Sequence, residues 1–166
     1  GAVAWLADRY TGSWEAPLDM GSLQRERVEE RFEVGAAPDL EITNFAGAIT
    51  IRTGEEGTIS VVATKRASSR SRLDRIDVDM RASGGGVTVV TRRRFDGGNA
   101  YVELEIVVPA NSSVRVDTGA GEVDVRGVRG QIDIHSGAGQ VDVRDASGTV
   151  QVDLGAGRIL YDATPQ

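Results

Sequence analysis

Cysteine is absent from the 166 residues, and histidine and lysine occur once each, as His135 and Lys65. Without thiols the chain has no disulfide staple, no thiolate metal site and no thiol nucleophile, a composition that fits an extracytoplasmic bacterial protein. Aromatic residues make up only 5%, so a core has to be assembled from Val, Ile, Leu and Ala. Long apolar runs are missing as well. The longest near the N-terminus, Ala2 to Ala7, is far short of the roughly 20 residues that cross a bilayer. No complete signal peptide is present, and Gly1 reads either as the mature end left by processing or as an artificial boundary. Positive charge is not in excess: a net charge of −6 argues against a general nucleic-acid binder, which normally has a basic footprint. Helix signals are weak, with one or two turns at most over Leu23 to Glu30.

What is present is a period. Val114, Val123, Ile132, Val141, Val150 and Ile159 stand nine residues apart, and Val116, Val125, Ile134, Val143, Val152 and Tyr161 follow two places on. Glycine recurs at Gly121, Gly130, Gly139, Gly148 and Gly157. The unit h-x-h-x-x-x-x-G-x is a short half-buried strand and a turn, and fixed self-similarity of this kind marks a repeat architecture. Gly119-Ala120-Gly121 returns at Gly137 and Gly155, every second unit, while the alternate turns differ. Two nonapeptides therefore make one 18-residue coil with a tight GAG corner on one side. Stacked coils would place Val114, Ile132 and Val150 in one parallel ladder and Val123, Val141 and Ile159 in the opposing one. One coil cannot stand alone, because four inward side chains bury too little to offset the ordering of 18 residues. An antiparallel meander would have the same pattern but would not require GAG at every second unit.

The rest of the chain is less regular. Residues 1–22 hold both tryptophans among Trp5, Leu6, Tyr10, Trp14 and Leu18, and read as a cap, a linker to a missing membrane anchor, or an arm that packs on another subunit. Residues 23–166 read as a single domain. Leu40-Glu41-Ile42, Ile49-Thr50-Ile51 and Ile59-Ser60-Val61 already show the h-x-h unit, with Gly47 and Gly57 in turn slots. Residues 67–109 interrupt it with longer strands joined by Ser83-Gly84-Gly85-Gly86 and Asp96-Gly97-Gly98-Asn99, both hairpin-type connections. The regular repeats then occupy 114–162. The expected fold is all-β: a β-solenoid or β-roll-like stack of 18-residue two-strand coils with a β-hairpin insertion in the middle.

The stretch Leu40-Glu-Ile-Thr-Asn-Phe-Ala-Gly-Ala-Ile-Thr-Ile51, the Ile106-Val-Val-Pro109 step and the GAG nonapeptides resemble the bacterial putative-adhesin β-strand-repeat family, a domain family of otherwise unknown function. The resemblance covers roughly Arg27 to Asp162. It implies an extracytoplasmic β-solenoid, often tethered by an N-terminal membrane segment and in some members tied to envelope stress. It supplies no active-site residues. This chain departs from the family pattern by stopping after its sixth clean nonapeptide.

No reaction is visible. The calcium-binding RTX unit is also a nonapeptide, but here the apolar places are five and seven, so Asp124 and Asp142 lie between core residues, away from the glycine turn. His135 falls beside Asp117 and Asp153 in an 18-residue stack, an outward row that reads first as a solvated ladder and second as a weak metal or pH-sensitive site. Asp124 and Asp142 beside Arg126 and Arg144 read as cross-strand charge pairs. Ser136 has no third group for a triad, and Gly119-Ala-Gly121 opens a strand, so it is no phosphate cradle. Carboxylates are plentiful, but no sugar-binding aromatic platform accompanies them.

No catalytic, cofactor or metal residues are therefore assigned, and no cofactor is expected. The candidate binding residues are basic: Lys65, Arg66, Arg70, Arg72, Arg92, Arg93 and Arg94, near Arg75, would suit an anionic envelope ligand. Trp5, Leu6, Trp14, Ile159 and Tyr161 are candidates for self-association, since the last strand leaves an edge. The leading expectation is a non-enzymatic structural or adhesive module, on the cell surface or secreted, that joins end to end or through its arm into filaments. The alternative is an envelope-stress module that binds an anionic ligand. Expected partners are the protein itself or envelope components, with no nucleic acid and with membrane contact only through a missing anchor.

Overall fold

The computed structural model describes residues 23–96 and 99–163. They form ten strands and one short helix: β1 (Gln24–Glu33), β2 (Asp39–Asn44), β3 (Ile49–Thr53), β4 (Thr58–Ala67), α1 (Arg70–Leu73), β5 (Ile76–Ser83), β6 (Gly86–Arg93), β7 (Ala100–Val108), β8 (Ser113–Arg126), β9 (Ile132–Ala146) and β10 (Val150–Ala163). The all-β class expected from the sequence is what the structure shows. The helical turns expected over Leu23 to Glu30 are instead part of β1, whose one partner among the described residues is β4. Glu26, Val28 and Phe32 are the half-buried residues there, and Val28 and Phe32 pack against the core.

Hydrogen bonding makes one sheet, in the order β1-β4-β7-β3-β8-β2-β6-β5, with β9 and then β10 added on β8. β8 explains how one sheet can have two faces. Its first arm pairs with β2 (Val114 opposite Leu40) and its second with β3 (Val123 opposite Ile49), both parallel. The chain bends between the arms, so the sheet folds over into a nearly closed, barrel-like wall. Leu40, Ile42, Val116, Ile134 and Val89 from one face meet Ile49, Ile51, Val125, Val143 and Ile106 from the other, each at most 1% exposed. Aliphatic side chains thus supply the core, as the scarcity of aromatics requires.

The repeats set the register. Ile132 faces Val114 and Val150, and Val141 faces Val123 and Ile159, all in parallel ladders offset by 18 residues. This excludes the antiparallel meander. The corner glycines are needed for this close stacking. Gly121, Gly139 and Gly157 have φ of 132°, 133° and 137°, matching 125° at Gly47 in the first layer. A Cβ on Gly139 would collide with the Gly121 carbonyl oxygen, and one on Gly157 with that of Gly139. Only glycine lets successive corners approach so closely.

Two expectations change. Ile59 and Val61, spaced like repeat residues, belong to β4, which runs antiparallel to β1 and β7 and lies outside the parallel ladders. Of the two hairpin connections, Gly84-Gly85 does join an antiparallel pair, β5 and β6. Residues 94–99 do not: β6 pairs with β2 on one face, whereas β7 lies between β3 and β4 on the other. Glycine-rich chemistry marks a turn but does not say whether the strands it links are neighbours.

Candidate functional site

The basic residues singled out in the sequence do not form one surface. Period-two alternation along β4 puts Ile59, Val61, Ala63, Lys65 and Ala67 on the buried side. Lys65 is 8% exposed. Its Nζ donates to the carbonyls of Leu73 (3.2 Å) and Ile76 (3.0 Å) and lies 3.7 Å from Glu26. It ties α1 and the start of β5 to β4, a satisfied buried cation that holds the fold together. Arg66, on the opposite side of the strand, bonds Glu103 at 2.9 Å.

Four of the other five lie around α1 and the end of β6, while Arg92, alternating with Arg93, falls on the other side of β6. Ser69 caps α1, accepting from the Arg72 amide at 3.2 Å. The Arg94 amide bonds the Arg75 carbonyl at 2.9 Å, bringing the end of β6 against the chain that leaves α1. Arg70 lies 3.8 Å from Glu26 and 3.9 Å from Asp74. Arg94 bonds Asp77 at 2.9 Å and the Asp74 carbonyl at 3.1 Å. Arg72 and Arg93 instead lie over Phe95, their guanidinium carbons 5.4 and 5.6 Å from its centroid, and Arg93 is also 5.7 Å from Phe45. The β2–β3 corner delivers Phe45 to the same spot, a convergence that no spacing in the sequence marks. Behind them Thr91 donates to Asn44 Oδ1 at 2.6 Å, and the Asn44 amide donates to the Val102 carbonyl at 3.0 Å.

The acidic residues follow the layers. His135 stands in register with Asp117 and Asp153, as the 18-residue period requires. Its Nε2 is 3.2 Å from Asp133 and its Nδ1 3.7 Å from Asp153. Among the described residues no three His, Asp or Glu side chains converge as a metal site. The expected cross-strand Asp–Arg pairs are not formed. Asp142 faces Asp124, and Arg144 faces Arg126, so like charges align across the ladder. Neutralisation runs along the strand: Arg144 grips Asp142 with contacts of 2.7 and 3.1 Å. The hydrogen bond and charge of Asp142, with smaller contributions from Asp124 and Asp162, raise the Arg144 pKa above its ordinary value. A groove of about 490 Å³ crosses the outer side of the first face, where Glu41, Arg115 and Asp133 succeed one another across the ladders.

The residues named for self-association divide. Trp5, Leu6 and Trp14 lie outside the described residues. Ile159 and Tyr161 are on β10, 46% and 54% exposed, with Leu160 at 42% between them. A cavity of about 230 Å³ at the last layer is lined by Val143, Val150, Val152, Ile159 and Tyr161. No helix among the described residues is long and apolar enough to cross a membrane.

No protein-family model matches the chain, and no curated protein matches it either. Among solved structures it is similar to a putative cell adhesion protein from Clostridium sporogenes ATCC 15579, with 12% identity and a TM-score of 0.51 over 83% of this chain and all of that one. A putative adhesin from Bacteroides fragilis NCTC 9343 aligns with 83% of this chain and 96% of its own at 8% identity and a TM-score of 0.33. The first likeness shows a shared fold. At such identities neither carries a function across.

Proposed function

We propose that this protein is a non-enzymatic, extracytoplasmic structural or adhesive surface module. In this reading β8, β9 and β10 are the coils of a short β-solenoid, and the molecule self-associates through the last of them. The observation that carries the reading is β10. It is hydrogen-bonded to β9 on one side, and among the described residues nothing pairs with its other side. Its two arms present unpaired backbone groups and the cut end of the aliphatic core together. An edge of this kind is a template for another strand, and a second copy offers the matching edge. The resemblance to adhesin-like repeat proteins and the fold shared with the clostridial protein support the same reading.

Sedimentation velocity across a wide concentration range, with negative-stain microscopy, tests this. Wild-type protein is expected to associate with rising concentration, and I159S/Y161S to shift toward monomer. A wild-type chain that stays monomeric at high concentration refutes the self-association.

A further inference from the structure

Around α1 and the end of β6 stand Arg70, Arg72, Arg75, Arg93 and Arg94, with Glu26, Asp74, Asp77 and Asp96 as the neighbouring carboxylates, on a chain whose net charge is −6. Asp74 is already shared with Arg70, and Asp77 with Arg94. Among the described residues neither Arg72 nor Arg93 forms an ion pair. Both are instead held over one ring, Phe95, so the distance between their guanidinium carbons cannot exceed the sum of 5.4 and 5.6 Å. A cation over a ring uses its face, while its N–H donors lie in the guanidinium plane. Arg72 spends one donor on Ser68 Oγ at 3.0 Å. The rest of both forks remain. Arg92, opposite Asp77 on the neighbouring strand, alternates to the other side of β6 from Arg93 and is not part of the pair.

We propose that Arg72 and Arg93, positioned by Phe95 and Phe45, form a binding site for a phosphate-bearing anion. Two like charges held on one ring repel each other, and a bound anion lowers that cost. A tetrahedral phosphate accepts from forks arriving on different sides, whereas a planar carboxylate is filled by one bidentate fork. Asp96, next to Phe95 in the chain, is the carboxylate that opposes an anion, one charge against the two of Arg72 and Arg93. The site does not depend on the edge of β10, so it stands or falls apart from self-association.

The test uses the full chain at low ionic strength. Tripolyphosphate binding is measured by calorimetry, and binding to phosphatidylcholine vesicles with and without phosphatidylglycerol by co-sedimentation. Wild type is expected to bind in at least one arm: tripolyphosphate alone assigns a soluble phosphate source, and phosphatidylglycerol vesicles assign a lipid headgroup. R72Q/R93Q should weaken binding about tenfold or more. R72K/R93K, which keeps the charge but loses the forks, should remain clearly weaker than wild type. R52Q/R126Q removes the same charge from β3 and β8 and should change affinity less than about twofold. Circular dichroism confirms that each variant is folded. Absence of binding in both arms, an equal loss in R52Q/R126Q, full affinity in R72K/R93K, or equal affinity for citrate would each overturn the proposal.

Discussion

Replacing Gly139 by alanine separates two costs that the corner imposes together. The residue has φ of 133°, and the place of its missing Cβ is occupied by the Gly121 carbonyl oxygen of the layer below. A non-glycine residue in that backbone region costs about 1–3 kcal/mol. The collision adds to this. β8 and β9 must part at the corner, which weakens ladder hydrogen bonds worth about 1 kcal/mol each. The sum is about 3–5 kcal/mol, a large share of the roughly 5–15 kcal/mol that holds a domain folded. Gly57→Ala supplies strain without collision, since Gly57 has φ of 84° and no atom within 4 Å of the new Cβ; about 1–2 kcal/mol should be lost. Gly35→Ala has neither a positive φ nor a neighbour within 4 Å and should be neutral. Urea unfolding followed by far-UV circular dichroism gives all three, provided the slopes agree. If Gly139→Ala proves no worse than Gly57→Ala, the claim that the layers stack too closely for a side chain is wrong.

Asp145 takes φ of 54° at the place where Gly127, one period earlier, has 83°, so Asp145→Gly should leave stability unchanged or raise it by up to about 1 kcal/mol; a larger loss in thermal unfolding would show that the carboxylate itself matters. Lys65→Met keeps the volume but leaves the Leu73 and Ile76 carbonyls without their donor. That should cost about 1–3 kcal/mol, and a neutral result by the same urea titration would refute the tethering role. I159S/Y161S and R72Q/R93Q, described above, read out association and anion binding separately.

The parallel register of β8, β9 and β10 was legible because aliphatic pairs and corner glycines share one period, and the offset of 18 follows from GAG recurring at every second unit. Strand direction was not legible at Ile59 and Val61, where an h-x-h pair alone is compatible with either orientation. The crossover between β6 and β7 was hidden for a related reason, since its glycines look the same in a hairpin. Lys65 is different: alternation from Ile59 to Ala67 already places it inward. Charge type was allowed to outweigh period, and period was right. The Arg72–Phe95–Arg93 arrangement had no sequence signal, because α1 and the end of β6 meet only through the fold.

A parallel repeat brings its own electrostatic problem, since each layer sets a residue beside its counterpart and like charges directly opposite are destabilising. The chain answers it in two ways. Within β9, Arg144 turns along the strand to Asp142, so that layer is neutralised from inside itself. In the column of Asp117 and Asp153, a histidine stands between the carboxylates. Isolated exposed arginines such as Arg52 need no such answer, because water solvates them cheaply. Arg72 and Arg93 are another case. They are brought together by separate elements, held on one ring, and given no carboxylate among the described residues. This cluster leaves its charge conflict to be resolved from outside, and an oxyanion with several acceptor oxygens is the chemistry that does so.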